Sequence, residues 1–148
     1  MIQTRTISND VLVQEFSRLI KNGDNVVFQP KGNSMLPFIV GSKDSVLMTA
    51  PAELAEYDIV LAKTTDGRYV VHRIERIEDD MITLRGDGNL SLFERCRRDD
   101  VIAVVVKIIK AHKEIDCHSS GHLIKAKIWR MLSPFRRYLL AIYRRIIL

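Results

Sequence analysis

Between Asn25 and Lys110 the chain divides into short runs rich in Val and Ile, separated by turn-forming residues. No other feature constrains its fold as much. VVF (26–28), SVLM (45–48), DIVLAK (58–63), RYVVHRI (68–74), MITLR (81–85) and VIAVVVKII (101–109) read as strands, because β-branched side chains suit a pleated backbone. Gly41-Ser42, Asp66-Gly67, Asp79-Asp80 and Gly86-Asp87-Gly88 punctuate them, and each supplies turn chemistry. Thr65-Asp66-Gly67-Arg68 is expected to close a hairpin. Many short strands at this spacing predict a mainly β domain, an antiparallel folded sheet or partly open barrel.

The flanks read differently. SNDVLVQEFSRLIKN (8–22) predicts a helix with Ser8 or Asn9 as cap and Val11, Leu12, Phe16, Leu19 and Ile20 on one side. Gly23 follows it, where a left-handed residue ends a helix. Residues 111–122 are polar and read as a linker, and 123–147 read as helix interrupted at Pro134. The expected organisation is an N-terminal helix (1–24), a β-rich domain (25–110), a polar linker (111–122) and a basic amphipathic helical tail (123–148).

Composition bounds the function. With 47% hydrophobic and 28% charged residues in 148, the chain can bury a core without disulfides. Its two cysteines, Cys96 and Cys117, imply no disulfide framework. The first 16 residues lack an apolar core behind a basic tip, and no run of about 18 apolar residues exists, so neither a leader nor a standard transmembrane helix is expected. The reading is a chain on the cytoplasmic side, at most peripheral on the inner face of the membrane. Residues 121–148 hold seven Lys/Arg and no Asp or Glu, whereas residues 1–120 hold 16 basic and 18 acidic residues. The basic character belongs to the tail, which suggests an anionic partner. Cations mixed with Trp129, Phe135, Tyr138 and Tyr143 fit a helix lying on an anionic membrane surface; packing on the body or in a partner's groove are the alternatives. Nucleic acid is disfavoured, because no finger or helix-turn-helix pattern is present. His112, Cys117, His118 and His122 match no zinc-ligand spacing, so no metal and no cofactor are expected.

The stretch that carries chemistry is Pro30-Lys31-Gly32-Asn33-Ser34-Met35-Leu36-Pro37. Gly32 permits an unusual turn and Pro37 stiffens the exit, so the Ser34 hydroxyl can be held toward a substrate. His72, in RYVVHRIERI, can accept a proton near neutral pH, as a serine nucleophile requires. Asp87, in Arg85-Gly86-Asp87-Gly88-Asn89, is a third candidate, although Gly-Asp-Gly-Asn also makes an ordinary turn.

In order, Gly32–Pro37 (G-x-S-M-x-P), Asp58–Ala62 (D-I-V-L-A), Val70–Ile74 (V-V-H-R-I) and Gly86–Asn89 (G-D-x-N) resemble the motifs of the signal-peptidase and LexA-like serine proteases over roughly residues 25–107. The resemblance implies a mostly β catalytic fold and peptide-bond cleavage, with Ser34 as nucleophile. It places His72 as base, as in the archaeal and endoplasmic-reticulum type, where bacterial members have Lys; Lys63 lies in the wrong strand for that role. The family's oxyanion hole implies the backbone amide of Ser34, with that of Asn33 beside it. Gly32 stands where some members add a hydroxyl. Met35 and Pro37, flanking the nucleophile, are expected substrate contacts. Asp87 is expected to orient His72, with Glu94 as the alternative acid. One departure is Tyr57-Asp58, where the family has Gly-Asp.

Three functions follow. The first is a peptidase that processes a precursor peptide or protein and prefers small side chains before the cut. The second is a self-cleaving LexA-like regulator. Too few residues precede the first strand for a helix-turn-helix domain, and the chain lacks the Ala-Gly or Cys-Gly dipeptide that such repressors cut. The third is a catalytically inactive peptide-binding adaptor at the membrane surface.

Overall fold

The computed structural model describes residues 9–147. Helix α1 (Asn9–Lys21) leads into β1 (Val26–Phe28), β2 (Ser45–Thr49), β3 (Ile59–Lys63), β4 (Tyr69–Glu78), β5 (Met81–Arg85), β6 (Glu94–Arg97), β7 (Val101–Ile109) and β8 (Glu114–Asp116). Helix α2 (Ser120–Met131), a 3-10 turn (Ser133–Phe135) and α3 (Arg136–Ile147) follow. The strands form one open sheet in the order β1-β2-β7-β3-β4-β5-β6, and every pairing is antiparallel. β3 pairs with one edge of β7 over Val101–Val105, and β8 continues along that edge at Lys107–Ile109. The Thr65–Arg68 segment does close a hairpin, between β3 and β4.

The central strands are buried on both faces, which explains their unbroken apolar runs. Along β3, Ile59 and Leu61 enter one core with Val46, Met48, Val105 and Ile108. Val60 and Ala62, on the opposite face by the two-residue period of a strand, enter a second core with Ile74, Ile82, Leu84 and Cys96. Helix α1 covers the first core through Ile20, with Phe16 and Leu19 against it. Val13 is buried and Val11 exposed, so the inward stripe differs by one position from the face predicted. Gly23 turns the chain away at φ 89°. Ser8, one of the two expected caps, lies outside the described residues, as does the side chain of Asn9.

The segment 111–122 is not simply a linker. Residues 114–116 pair with β7, and Ser119 caps α2 by accepting a hydrogen bond from the His122 amide. The tail breaks around Pro134 as expected, and its inner side packs on the body. Trp129 and Leu140 join Leu36 and Val40 in a third core, which presses α2 and α3 against the segment after Ser34.

Tyr57 explains the departure in the Tyr57-Asp58 turn. Its φ is 77°, the left-handed conformation that glycine adopts freely. A side chain there costs about 1–2 kcal/mol. In return, the ring lies under Lys127 Nζ at 5.8 Å and Arg130 Cζ at 5.3 Å, both on α2. Each such contact contributes about 0.5–1 kcal/mol at an exposed site. Tyr57→Gly is therefore expected to leave stability within about 1 kcal/mol, because lost strain offsets lost contacts. Tyr57→Ala keeps the strain and loses the ring, so it is expected to destabilise by about 1–2 kcal/mol in urea denaturation.

Candidate active site

Ser34 sits in a turn that is anchored from both sides. The amides of Phe38 and Ile39 donate to the Met35 carbonyl, giving 35–39 a helical turn. That turn sends Met35 and Ile39 into the first core and Leu36 and Val40 against the tail. Ser34, just before the turn, stays half-buried.

The turn after β5 presses on this segment. The Gly88 amide donates to the Ser34 carbonyl at 2.7 Å. A Cβ on Gly86 would lie 2.5 Å from that carbonyl oxygen and 3.1 Å from His72 Nε2. A Cβ on Gly88 would lie 2.7 Å from the Asn33 carbonyl oxygen. Glycine is needed at both positions because backbone meets backbone there.

His72 lies on β4 with its ring buried. Its Nε2 is 3.0 Å from Ser34 Oγ and its Nδ1 is 2.7 Å from Glu94 Oε1. Register brings the carboxylate there. Ile74 pairs with Leu84 and Leu84 with Glu94, so all three share one sheet face, and His72 shares it as the next residue but one on β4. An ionised Glu94 can only accept, which would fix the imidazole proton on Nδ1 and leave Nε2 to accept from the Ser34 hydroxyl. Among the described residues, Glu94 Oε2 is buried without a hydrogen-bond partner, with the Arg68 Nη2 cation 3.9 Å away.

The expected contact of Asp87 with His72 is not the one found, since Glu94 occupies His72 Nδ1. The Asp87 carboxylate is taken by Arg73, which follows His72 and points to the opposite face. Arg73 Nε donates to Oδ1 at 2.9 Å and Oδ2 at 3.2 Å, and Nη2 donates to Oδ2 at 2.8 Å. Arg73 Nη1 reaches the Tyr57 carbonyl at 2.9 Å and His122 Nε2 at 3.3 Å. The Asp87 carbonyl accepts from Trp129 Nε1 at 2.8 Å. Arg73 pairs directly with Arg85 across the β4–β5 ladder, an arrangement that is unfavourable unless each charge is satisfied elsewhere. Arg85 discharges onto the Asn89 and Leu90 carbonyls and the Phe93 ring, bracing the loop that leads to Glu94.

Met35 is not an open substrate contact, since it is buried and its Sδ accepts from the Asp87 amide at 3.4 Å. Pro37 lines a depression of about 560 Å³ with Phe38, Lys110, Ile115 and Lys125, whose lining does not include Ser34 or His72. Asn33 is exposed beside Ser34. Lys63 stands exposed, its Nζ over the Tyr69 ring at 5.8 Å. Among the described residues no group of three or more His, Cys, Asp or Glu is placed to hold a metal ion. Burial raises the thiols of Cys96 to about 11 and Cys117 to about 12, so neither is a thiolate nucleophile near neutral pH.

Burial, together with the Arg73 charge, lowers His122 from 6.5 to about 4. A histidine depressed in the folded state binds more protons when unfolded. Stability is therefore expected to be full above about 6.5 and to fall as pH drops toward about 4. His122→Gln should flatten that slope in denaturation curves taken across this range. Removing one partner of the buried pair is costlier: Asp87→Ala leaves Arg73 uncompensated and is expected to cost about 3–5 kcal/mol.

No family model matches this sequence, and comparison with curated proteins gives no significant match.

Proposed function

We propose that this chain is a serine endopeptidase of the signal-peptidase and LexA-like type, cutting a precursor peptide or protein by means of Ser34, His72 and Glu94. The observation that carries the reading is the continuous line from Ser34 Oγ to His72 Nε2 at 3.0 Å and from His72 Nδ1 to Glu94 at 2.7 Å. Nucleophile, base and orienting acid stand within hydrogen-bond reach, the arrangement acyl transfer requires. The antiparallel sheet, with the base on a central strand and the nucleophile on a turn against it, agrees with the fold that the four motifs imply.

In this mechanism His72 Nε2 takes the Ser34 proton as Oγ attacks the scissile carbonyl carbon. The negative charge moves to the carbonyl oxygen, where the Ser34 amide donates to it, with the Asn33 amide beside it. No described residue supplies an acceptor for the Ser34 amide in the structure. The imidazolium, stabilised by Glu94, gives its proton to the leaving amine, and the acyl-enzyme remains. Water then loses a proton to His72 and attacks the ester, and proton return to Ser34 releases the acid product. A preference for small side chains before the cut is part of the proposal.

The test is active-site acylation. A fluorophosphonate probe at mildly alkaline pH, with a β-lactam acylating inhibitor in parallel, is expected to label Ser34, as located by peptide mass mapping. Labelling should vanish in Ser34→Ala and His72→Ala, and Glu94→Gln should slow it by roughly a thousandfold or more. Folded wild-type protein that neither reagent labels would overturn the proposal and leave a non-catalytic peptide-binding sheet as the better reading.

A further inference from the structure

The tail helices carry a second apolar surface, which faces away from the body. At roughly 100° per residue, the buried residues of α2 (His122, Ala126, Trp129) occupy one side of the helix. Ile124, Ile128 and Met131 fall on the opposite side and are 55%, 51% and 79% exposed. Exposed Lys127 and Lys125 border this stripe on its two flanks. In α3 the inner side is set by Arg136 and Leu140. Its apolar arc continues outward past the body through Ile146, Ile142 and Tyr138, and meets Arg145 at the edge. Phe135, in the turn joining the helices, is exposed as well. Body packing therefore accounts for only one side of the tail's apolar residues, and the uncovered remainder is larger than scattered surface hydrophobes explain.

Charge decides what covers it. No acid occurs from Cys117 to the end of the sequence. Arg136 is buried, and Arg130 is engaged by Glu56 and Glu75 of the body. Lys125, Lys127, Arg137, Arg144 and Arg145 remain exposed. Two copies meeting through this face would set like charges against each other at its rim. An anionic bilayer meets both requirements, because acyl chains take the apolar stripe while acidic headgroups take the bordering cations. The opposite flank of α3 faces the site's own loop. Leu90 and Leu92 share with Arg137 and Arg144 a groove of about 450 Å³ between that loop and α3.

We infer that α2 and α3 form a monotopic docking face for acidic phospholipid, which holds the chain on the surface of a bilayer without crossing it. No described helix is long and apolar enough to cross one. The inference does not depend on the proposed catalysis, and its test reads binding alone. The full-length chain is mixed with vesicles of phosphatidylglycerol and phosphatidylcholine, or of phosphatidylcholine alone, and sedimented. Binding is expected to the acidic vesicles, weakened by high salt, with little to the neutral ones. Ile124→Ser, Ile128→Ser and Met131→Ser together should abolish it while leaving the thermal unfolding midpoint unchanged. Lys125→Gln and Arg145→Gln should each weaken it by about fivefold. Equal binding to both vesicles, no binding, or binding indifferent to the triple variant would overturn the inference. So would a dimer, seen by sedimentation velocity without lipid, that the triple variant dissociates.

Discussion

The buried ion pair between Arg73 and Asp87 joins every part of the molecule that bears on the site. Arg73 belongs to β4, one residue from His72, and Asp87 to the turn that presses on Ser34. The remaining Arg73 donors reach the Tyr57 turn and His122 on α2, and the Asp87 carbonyl holds Trp129. Burying two charges costs several kcal/mol each, which is recovered only where the remaining donors and acceptors are satisfied. Here a neutral imidazole completes the set. Because burial and the Arg73 charge both oppose its protonation, His122 presents a lone pair to Arg73 Nη1 instead of a second positive charge. The pair thus requires α2 to be in place, and the tail is part of the folded unit that carries the Ser34 turn.

The same strand divides two tasks by its pleat. His72 and Arg73 are neighbours with opposite outlooks, so one meets Glu94 and Ser34 while the other meets Asp87. This bears on what was legible in the sequence. Ser34 and His72 could be picked out because each sits in a motif whose residue types announce a turn or a strand. Glu94, the acid bonded to His72, could not, because its place depends on register across β4, β5 and β6, and β6 carries no clear signal. Its sequence, Glu94-Arg95-Cys96-Arg97, alternates buried and exposed positions as a strand should. Only one of its inward residues is apolar, so hydrophobic periodicity gives almost no signal. Asp87, in a conspicuous Gly-Asp-Gly turn, was the natural choice, but its carboxylate is taken by Arg73, and the one that meets His72 is Glu94 on β6.

The strands of the body were legible for the converse reason. β3 and β7 are buried on both faces, so their apolar runs are continuous and cannot be mistaken for loop. β8 escaped notice because three residues, Glu114-Ile115-Asp116, owe their extended form entirely to β7 beside them. Helix α1 keeps Phe16, Leu19 and Ile20 on the inward side expected of it, and differs only in turning Val13 inward and Val11 outward. In Tyr57 the departure from the family pattern was visible while its cause was not. A left-handed tyrosine is tolerable only because two cations of a helix some seventy residues later cover its ring.

The tail answers two demands with opposite sides of the same helices. The inward side, through His122 and Trp129, is bonded to the groups that hold the turn at Ser34, and these bonds are buried and specific in geometry. The outward side carries aliphatic residues and exposed cations, which suit a fluid partner with no fixed pattern of donors and acceptors. Because the proposed lipid face and the bonded face lie on opposite sides of α2, a bilayer can take the outer side without breaking an inner contact. Docking there would fix where the molecule sits and which way it faces, while leaving the Ser34–His72–Glu94 geometry as the body sets it. A helix whose apolar residues all pointed inward would hold the Ser34 turn equally well. The outward stripe therefore calls for a cause outside the fold, and the cations along its border point to an acidic surface.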